Sequence, residues 1–401
     1  MKILVACDSF KGSLDTLTAA NCIKTGFQRV FPQAEYALFP IADGGEGTAT
    51  AAVTAVGGRF VARTVTGPLG ESVNARFAVL DNGWAVVEMA EASGLPLVPK
   101  GKRDPAMTTT YGTGELLRAA LDEGCRSILV GIGGSATNDG GAGMAQALGA
   151  RLLDEEGREL PYGGGALSRL ARIDRSGLDP RLAQCGIEVV CDVTNPLCGP
   201  EGASAVFGPQ KGASPEQVER LDRALEGYGR LLEEMSGQPI MNLPGAGAAG
   251  GLGAGLVAFC GGVLRSGVEA MLSMTGVERA MADADLVITG EGRIDSTTAR
   301  GKVTSGVAEL ARRFGVPVLA VCGGLSGPQR AVWELGVDGL MCLPNAPMTL
   351  DRSMAQAGPL LTDAAERMAR LLQVGGRLSP NLPWTKVDDR SGPGEVHFSG
   401  A

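Results

Sequence analysis

Three short apolar runs in this chain each stop abruptly in a cluster of Asp, Gly and Ser. Residues 2–7 lead into Asp8-Ser9-Phe10-Lys11-Gly12-Ser13. Residues 36–39 lead into Ala42-Asp43-Gly44-Gly45-Glu46-Gly47, and residues 286–289 into Gly290-Glu291-Gly292-Arg293-Ile294-Asp295-Ser296. A continuous apolar run is the pattern of a strand buried on both faces, and such strands belong to parallel sheets covered by helices. Leu17, Ala20, Ile23, Phe27 and Val30 follow at helical spacing until Pro32, and a second helix is predicted over 48–56. Parallel sheets bind ligands at the carboxyl ends of their strands, and here those ends are polar each time.

The residue types narrow the chemistry. The net charge is −8 and aromatics are 4% of the chain, so a nucleic-acid or basic membrane-surface role is excluded for want of a cationic face. The single histidine, His397, lies in a tail without periodicity. Imidazole-based triads and zinc sites are therefore excluded from the body of the chain, leaving Asp, Glu, Lys, Tyr or Cys to move protons. The nine cysteines lack metal-type spacing, and several sit in apolar runs, as expected for buried free thiols in a reducing compartment. Residues 239–264 are uncharged, but eight are Gly, which suits a glycine-rich loop feeding a buried helix better than a membrane span. A cytoplasmic protein without a membrane partner is expected. The oligomeric state stays open, a homo-oligomer included.

The β-α rhythm of the first 56 residues returns after residue 283, with strands predicted at 286–289, 316–321 and 339–343 and helices at 303–314, 328–335 and 352–372. Between them the style changes. Residues 73–80 and 84–89 flank Asp81-Asn82-Gly83, a hairpin signal that starts a different sheet. A helix over 114–123, strands at 128–132 and 187–191 and a long amphipathic helix over 215–235 follow. The economical architecture is α/β: a doubly wound parallel-sheet domain built from residues 1–65 and 283–375, interrupted by an inserted α/β domain over 66–282. Residues 376–401 are expected to be a peripheral tail.

Residues 131–141, GIGGSATNDGG, follow a strand and precede a helix. Such a loop can turn backbone N–H groups onto a phosphate, and Gly permits the close approach. Gly133, Gly134, Ser135, Thr137 and Asn138 are thus candidate nucleotide contacts, and Asp139 a candidate Mg²⁺ ligand. Residues 245–250 match GxGxxG, but residues 241–244 before them are no convincing strand, so the dinucleotide context fails. Gly247 and Gly250 are read as a second phosphate-contacting or close-packing segment. Neither a P-loop nor the protein-kinase signatures occur.

Together these segments resemble the class I, bacterial-type glycerate kinases. The resemblance rests on DSFKGSL (8–14), ADGGEGT (42–48), VTGPLG (65–70), TTTYGTGELL (108–117), GIGGSATNDGGAGMAQALGA (131–150), CDVTNPLCG (191–199), FGPQKGA (207–213), PGAGAAGGLGAGL (244–256) and TGEGRIDSTTARGK (289–302). It implies a flavodoxin-like domain interrupted by a second α/β domain, and ATP-dependent phosphorylation of D-glycerate with Mg²⁺. It favours 2-phosphoglycerate over 3-phosphoglycerate as product.

A kinase needs a phosphate cradle, a metal, cations and a carboxylate near the attacking hydroxyl. Asp192, at a strand end in the insert, is assigned as the proton acceptor. Lys11 and Arg293 are assigned as the cations on substrate carboxylate and transferring phosphate. Ser9, Asp43, Asn195 and Glu291 are substrate-binding candidates, and Asp295 joins Asp139 as metal ligand. The rival enzyme class is an NAD-dependent oxidoreductase of a small hydroxy acid, resting on the GxGxxG match. A non-catalytic sugar-acid or phosphate sensor is the third.

Overall fold

The computed structural model of the protein describes residues 1–10, 12–41, 47–295, 302–326 and 330–378. Lys11 and Asp43 therefore lie outside the described residues.

Two main sheets organise the chain. Lys2–Cys7, Glu35–Pro40, Leu286–Ile294, Val318–Leu325 and Gly339–Cys342 form a five-stranded sheet, parallel throughout. Lys2–Cys7 lies between Glu35–Pro40 at one edge and the central Leu286–Ile294, with Val318–Leu325 and then Gly339–Cys342 beyond. Numbered within this sheet alone the order is 2-1-3-4-5. Ile3 lies opposite Leu286, so the two ends of the chain meet in neighbouring strands as expected.

The second sheet has six strands, in the spatial order Val263–Arg265, Gly186–Val190, Ser127–Gly131, Trp84–Glu88, Ser72–Leu80, Gly58–Thr66. Its last three strands are antiparallel neighbours and the rest pair in parallel. The hairpin at Asp81-Asn82-Gly83 is thus present, and it does open a different sheet.

Period-two alternation assigns each strand residue to a layer. In the first sheet Ile3, Val5, Leu286, Ile288, Leu319 and Val321 face outward, sharing a core with the helices Thr16–Gln28 and Ala357–Leu378. Leu4, Ala6, Val287, Val318 and Ala320 face the other way, into a core that also takes Ala78, Leu80, Val86, Leu129 and Val190 from the second sheet. Between the sheets lie the helices Thr48–Val56, Gly267–Thr275 and Val303–Phe314. The second sheet turns Phe77, Ala85, Val87, Ile128, Val130, Ile187 and Val189 into a third core, with the helices Tyr111–Asp122, Ala142–Ala147, Pro215–Ser236 and Ala248–Cys260. The order is helix, sheet, helix, sheet, helix, and the middle layer belongs to both sheets.

The structure corrects several boundaries. Gly58–Thr66 pairs along its length with Ser72–Leu80, so the chain leaves the first sheet at Gly57 rather than at residue 65. This edge strand interleaves Arg59 and Arg63 with apolar residues, which hid it among polar positions. The expected helix 352–372 is two helices, Leu350–Ala355 and Ala357–Leu378, and the second continues past residue 375 into the expected tail. No described helix is long and apolar enough to cross a membrane.

The middle layer depends on close helix contact at Gly306. A Cβ there would run into Val268 Cγ1 on the neighbouring helix. An exposed helical Gly→Ala change gains about 1 kcal/mol, whereas overpacking a core costs about 1–3 kcal/mol. Gly306→Ala is expected to lose stability in chemical denaturation, and adding Val268→Ala to recover most of the loss. A more stable Gly306→Ala protein would contradict the packing of this layer.

Candidate functional site

A cleft of about 500 Å³ opens at the carboxyl ends of Lys2–Cys7, Leu286–Ile294 and Val318–Leu325. Asp8, Ser9, Glu291, Arg293 and Lys302 line its polar end. Residues 290–294 were expected to be loop, but they continue the strand, with Arg293 and Ile294 opposite Gly324 and Leu325. Glycine permits this extension. A Cβ on Gly323 would stand 2.6 Å from Gly292 O. Glu291 and Arg293 consequently sit two residues apart on one face of the strand, an arrangement that a loop reading does not give.

Charge is concentrated here and half satisfied. Asp8 and Glu291 are both buried. The Asp8 N–H donates to Gly290 O at 2.8 Å, tying two strand ends together, and Asp8 Oδ1 accepts from the Ser9 N–H at 2.6 Å. Lys302 Nζ stands 3.5 Å from Glu291 Oε2 and 3.8 Å from Asp295 Oδ1. Arg293 Nε is 3.4 Å from Asp295 Oδ2, and its guanidinium donates to Ser326 Oγ at 3.1 and 3.3 Å. Glu291 Oε1 is buried and makes no well-formed hydrogen bond, although hydrogen bonding from Thr304 also holds the carboxyl down. Burial pushes the Glu291 carboxyl above the ordinary range, Lys302 opposes that shift and Asp8 adds to it. A buried, partly unpaired carboxylate beside a lysine carries spare capacity for a cation or a donor.

The second sheet presents its own strand ends to the same region through the middle helices. Glu88, the last residue of Trp84–Glu88, accepts from the Gly47 N–H at 2.9 Å, at the start of the helix Thr48–Val56. Burial raises the Glu88 carboxyl, and the Gly47 N–H is the foremost influence against it. Asp192, exposed beyond Gly186–Val190, accepts from the Gly267 N–H at 3.1 Å, the first residue of Gly267–Thr275. Lys302 is the N-cap of Val303–Phe314. All three middle-layer helices thus direct their positive ends at the strand carboxyl edges, a setting that favours anions.

The glycine loop is exposed at its start and buried beyond it. Gly133 and Gly134 are exposed at the end of Ser127–Gly131, but Ser135, Thr137, Asn138 and Asp139 are buried. Lys211 Nζ, also buried, donates to Ser135 Oγ and to Thr137 O, both at 2.7 Å. Burial lowers the Lys211 ammonium to about 7, against a smaller pull from Asp139. Asn138 Nδ2 donates to Ser204 Oγ at 2.9 Å. Asp139 is held by donors on several sides. Its carboxylate accepts from Thr110 N, Thr110 Oγ1, Gly141 N and Gly143 N at 2.8–3.3 Å.

Gly247 and Gly250 are buried too. A Cβ on Gly247 would run into Pro196 O, and one on Gly250 into Thr137 O. The Gly247 N–H donates to Asn195 O at 3.0 Å, and the Gly140 N–H to Gly250 O at 2.9 Å. Their missing side chains admit neighbouring backbone. The Asn195 side chain donates to Glu201 O at 2.7 Å, within the same knot of loops. Residues 249–251 take left-handed φ of 54°, 70° and 88° and no strand precedes them, so the dinucleotide reading loses its structural basis.

The structure therefore brings Ser9, Glu291, Arg293 and Asp295 together and leaves Asp192, Asn195 and the glycine loops outside the first-sheet cleft. Lys302 and Glu88 were missed. Glu88 obeys the strand-end rule that singled out Asp8, and Lys302 closes the motif TGEGRIDSTTARGK. Among the described residues no cluster of three or more acidic, His or Cys side chains is arranged to hold a metal.

Known proteins resemble this chain along most of its length. The glycerate kinase family model matches residues 3–373. A glycerate kinase of Halalkalibacterium halodurans is 52% identical over 92% of this chain and 97% of its own length. A glycerate 2-kinase of Escherichia coli K12 is 48% identical over 94% and 99%. The crystal structure of a glycerate kinase 2 candidate from Salmonella typhimurium LT2 superposes with a TM-score of 0.83 at 51% identity, covering 94% of this chain and 99% of that one. No support arises for an oxidoreductase. With strand-end acids and cations gathered as such an enzyme requires, and with relatives matching over nearly their full lengths, the chain belongs to the glycerate kinase family.

Proposed function

We propose that this protein transfers the γ-phosphoryl group of ATP to D-glycerate, with Mg²⁺, giving 2-phosphoglycerate. The observation that carries the reading is Glu291: buried, with one oxygen 3.5 Å from Lys302 and the other without a well-formed hydrogen bond, at a strand end beside Asp8 and Arg293. We read the 2-1-3-4-5 sheet as flavodoxin-like, the order that places a ligand where the strand sequence reverses beside the first strand. Residues 58–282 form the inserted unit in this reading, sharing the middle helices with the first sheet. Nine free thiols support a reducing, cytoplasmic setting.

Mg²⁺ is usually held by one or two carboxylates and the substrate phosphates, and Glu291 with Asp295 meets that need. The ion supplies charge neutralisation of the transferring group. Lys302 and Arg293 stand beside those acids as donors to the phosphoryl oxygens, with Lys11 as a further cation. Ser9 and Asp43 orient the substrate from the first-sheet side, and the exposed Gly133–Gly134 turn offers N–H groups from the second.

The glycerate hydroxyl oxygen attacks the γ-phosphorus, the bond to the bridging oxygen breaks, and ADP leaves. The hydroxyl proton passes to Asp192. Its exposed carboxylate is oriented by the Gly267 N–H, which suits a weak base accepting a proton late. Closure between the sheets' strand edges brings Asp192 to the nucleotide cleft.

An enolase-coupled assay without phosphoglycerate mutase tests the reaction. D-glycerate and ATP should give phosphoenolpyruvate directly, whereas a 3-phosphoglycerate product would give none until mutase is added. Asp192→Asn should lower kcat by about 10²-fold or more with little change in the ATP KM. Near-normal turnover would remove Asp192 from proton transfer. Glu291→Gln should lose activity yet melt higher than the parent at pH 7. Its raised folded-state value means the parent is stabilised least where Glu291 is charged, so the difference should vanish as pH falls below about 4.5, the ordinary glutamate range. A difference in melting temperature that is flat with pH would contradict the buried-charge assignment.

A further inference from the structure

The first-sheet cleft has a second, apolar end that neither glycerate nor a phosphate chain can use. Phe10, Leu325, Leu343, Leu350 and Met354 line the cleft together with Glu291, Arg293 and Lys302. Leu343 is buried at 1% exposure, while Leu350 is 74% exposed although it lines a cleft. Leu350 and Met354 are four residues apart on the helix Leu350–Ala355, so their side chains share one face. Met354 extends toward Gly12, where a Cβ would come within 2.7 Å of its Cε. One wall of the cleft is therefore a pair of flexible apolar side chains, and the other is the strand-end floor.

We propose that this end is the base-binding slot of the phosphoryl donor, with Leu350 and Met354 as residues that determine nucleotide affinity. The inference rests on the nucleotide reading above. A wall of this kind is desolvated only by an apolar or aromatic occupant, and a planar base on an adaptable methionine and a leucine meets that need. Glycerate has three carbons, each bearing oxygen, and leaves the wall wet. In this proposal the base lies at Leu350 and Met354, and the phosphates run to the cations Lys302 and Arg293. The cleft volume of about 500 Å³ lies within the usual range for cofactor sites.

Leu350→Asp and Met354→Asp test the slot in the full-length enzyme. The exposure of Leu350 makes the first variant safe for folding, and a melting curve checks the second. Each should raise the ATP KM about tenfold or more, the cost of losing one leucine-sized apolar contact, with the D-glycerate KM and kcat little changed. Inorganic tripolyphosphate, which has phosphates and no base, should inhibit competitively with ATP at the same inhibition constant in parent and variants. If the parent phosphorylates D-glycerate from ATP while both folded variants keep the parental ATP KM, the slot is overturned and the kinase reading stands. If tripolyphosphate inhibition weakens in step with the ATP KM, the slot is overturned as well, since the substitutions then act on the phosphate end. A parent with no ATP-dependent turnover overturns the nucleotide reading and the slot with it.

Discussion

The helices between the two sheets are the constraint on which the rest of the molecule depends. Val268, Met271, Val303, Val307 and Ala308 bury themselves between Leu4, Ala6 and Val287 on one side and Val86, Leu129 and Val190 on the other. Each apolar side chain buried in this layer is worth about 1.5–3 kcal/mol, and neither sheet can keep that gain alone. The same layer positions the chemistry. Its helices begin at Gly47, Gly267 and Lys302, next to Glu88, Asp192 and Glu291. A packing solution for two half-covered sheets thereby sets positive helix ends against acidic strand ends. The candidate active region is where those meet.

The buried polar groups fall into two kinds. Asp139 is wrapped by four N–H and O–H donors, and Lys211 bridges Ser135 to Thr137. These hold loops of the second sheet in place and are closed to solvent. Glu291 is also buried, but one of its oxygens lacks a well-formed hydrogen bond and it opens on a cleft. Thr137 Oγ1 and Asn138 Oδ1 of the second-sheet loop are likewise buried without hydrogen-bond partners, so what distinguishes Glu291 is a charged carboxylate that lines a cleft. Arg293 is the opposite case, with an exposed side chain braced by Ser326 and Asp295, free at its outer edge to meet an anion.

Much of the fold was legible because buried strands and amphipathic helices leave strong periodicities. Residues 2–7 and 286–289 announce one sheet, and Asp81-Asn82-Gly83 announces another. Gly58–Thr66 was not legible, since an edge strand with alternating Arg lacks an apolar run. The strand-end rule singled out Ser9, Glu291, Arg293 and Asp295, which the structure brings together. Gly247 and Gly250 were less legible. Glycine is required wherever backbone must come close, and the sequence does not say whether the neighbour is a phosphate or Pro196 O and Thr137 O. Lys302 was missed because its partner Glu291 is brought beside it only when residues 290–294 run on as strand.

The central claim is that phosphoryl transfer occurs at the carboxyl edge of the first sheet and not on the glycine loops of the second. A crystal structure of the enzyme with a non-hydrolysable ATP analogue, Mg²⁺ and D-glycerate tests it most directly. The triphosphate is expected beside Lys302 and Arg293, with the metal on Glu291 and Asp295. Nucleotide bound instead along residues 133–138, with the first-sheet cleft empty, would contradict it.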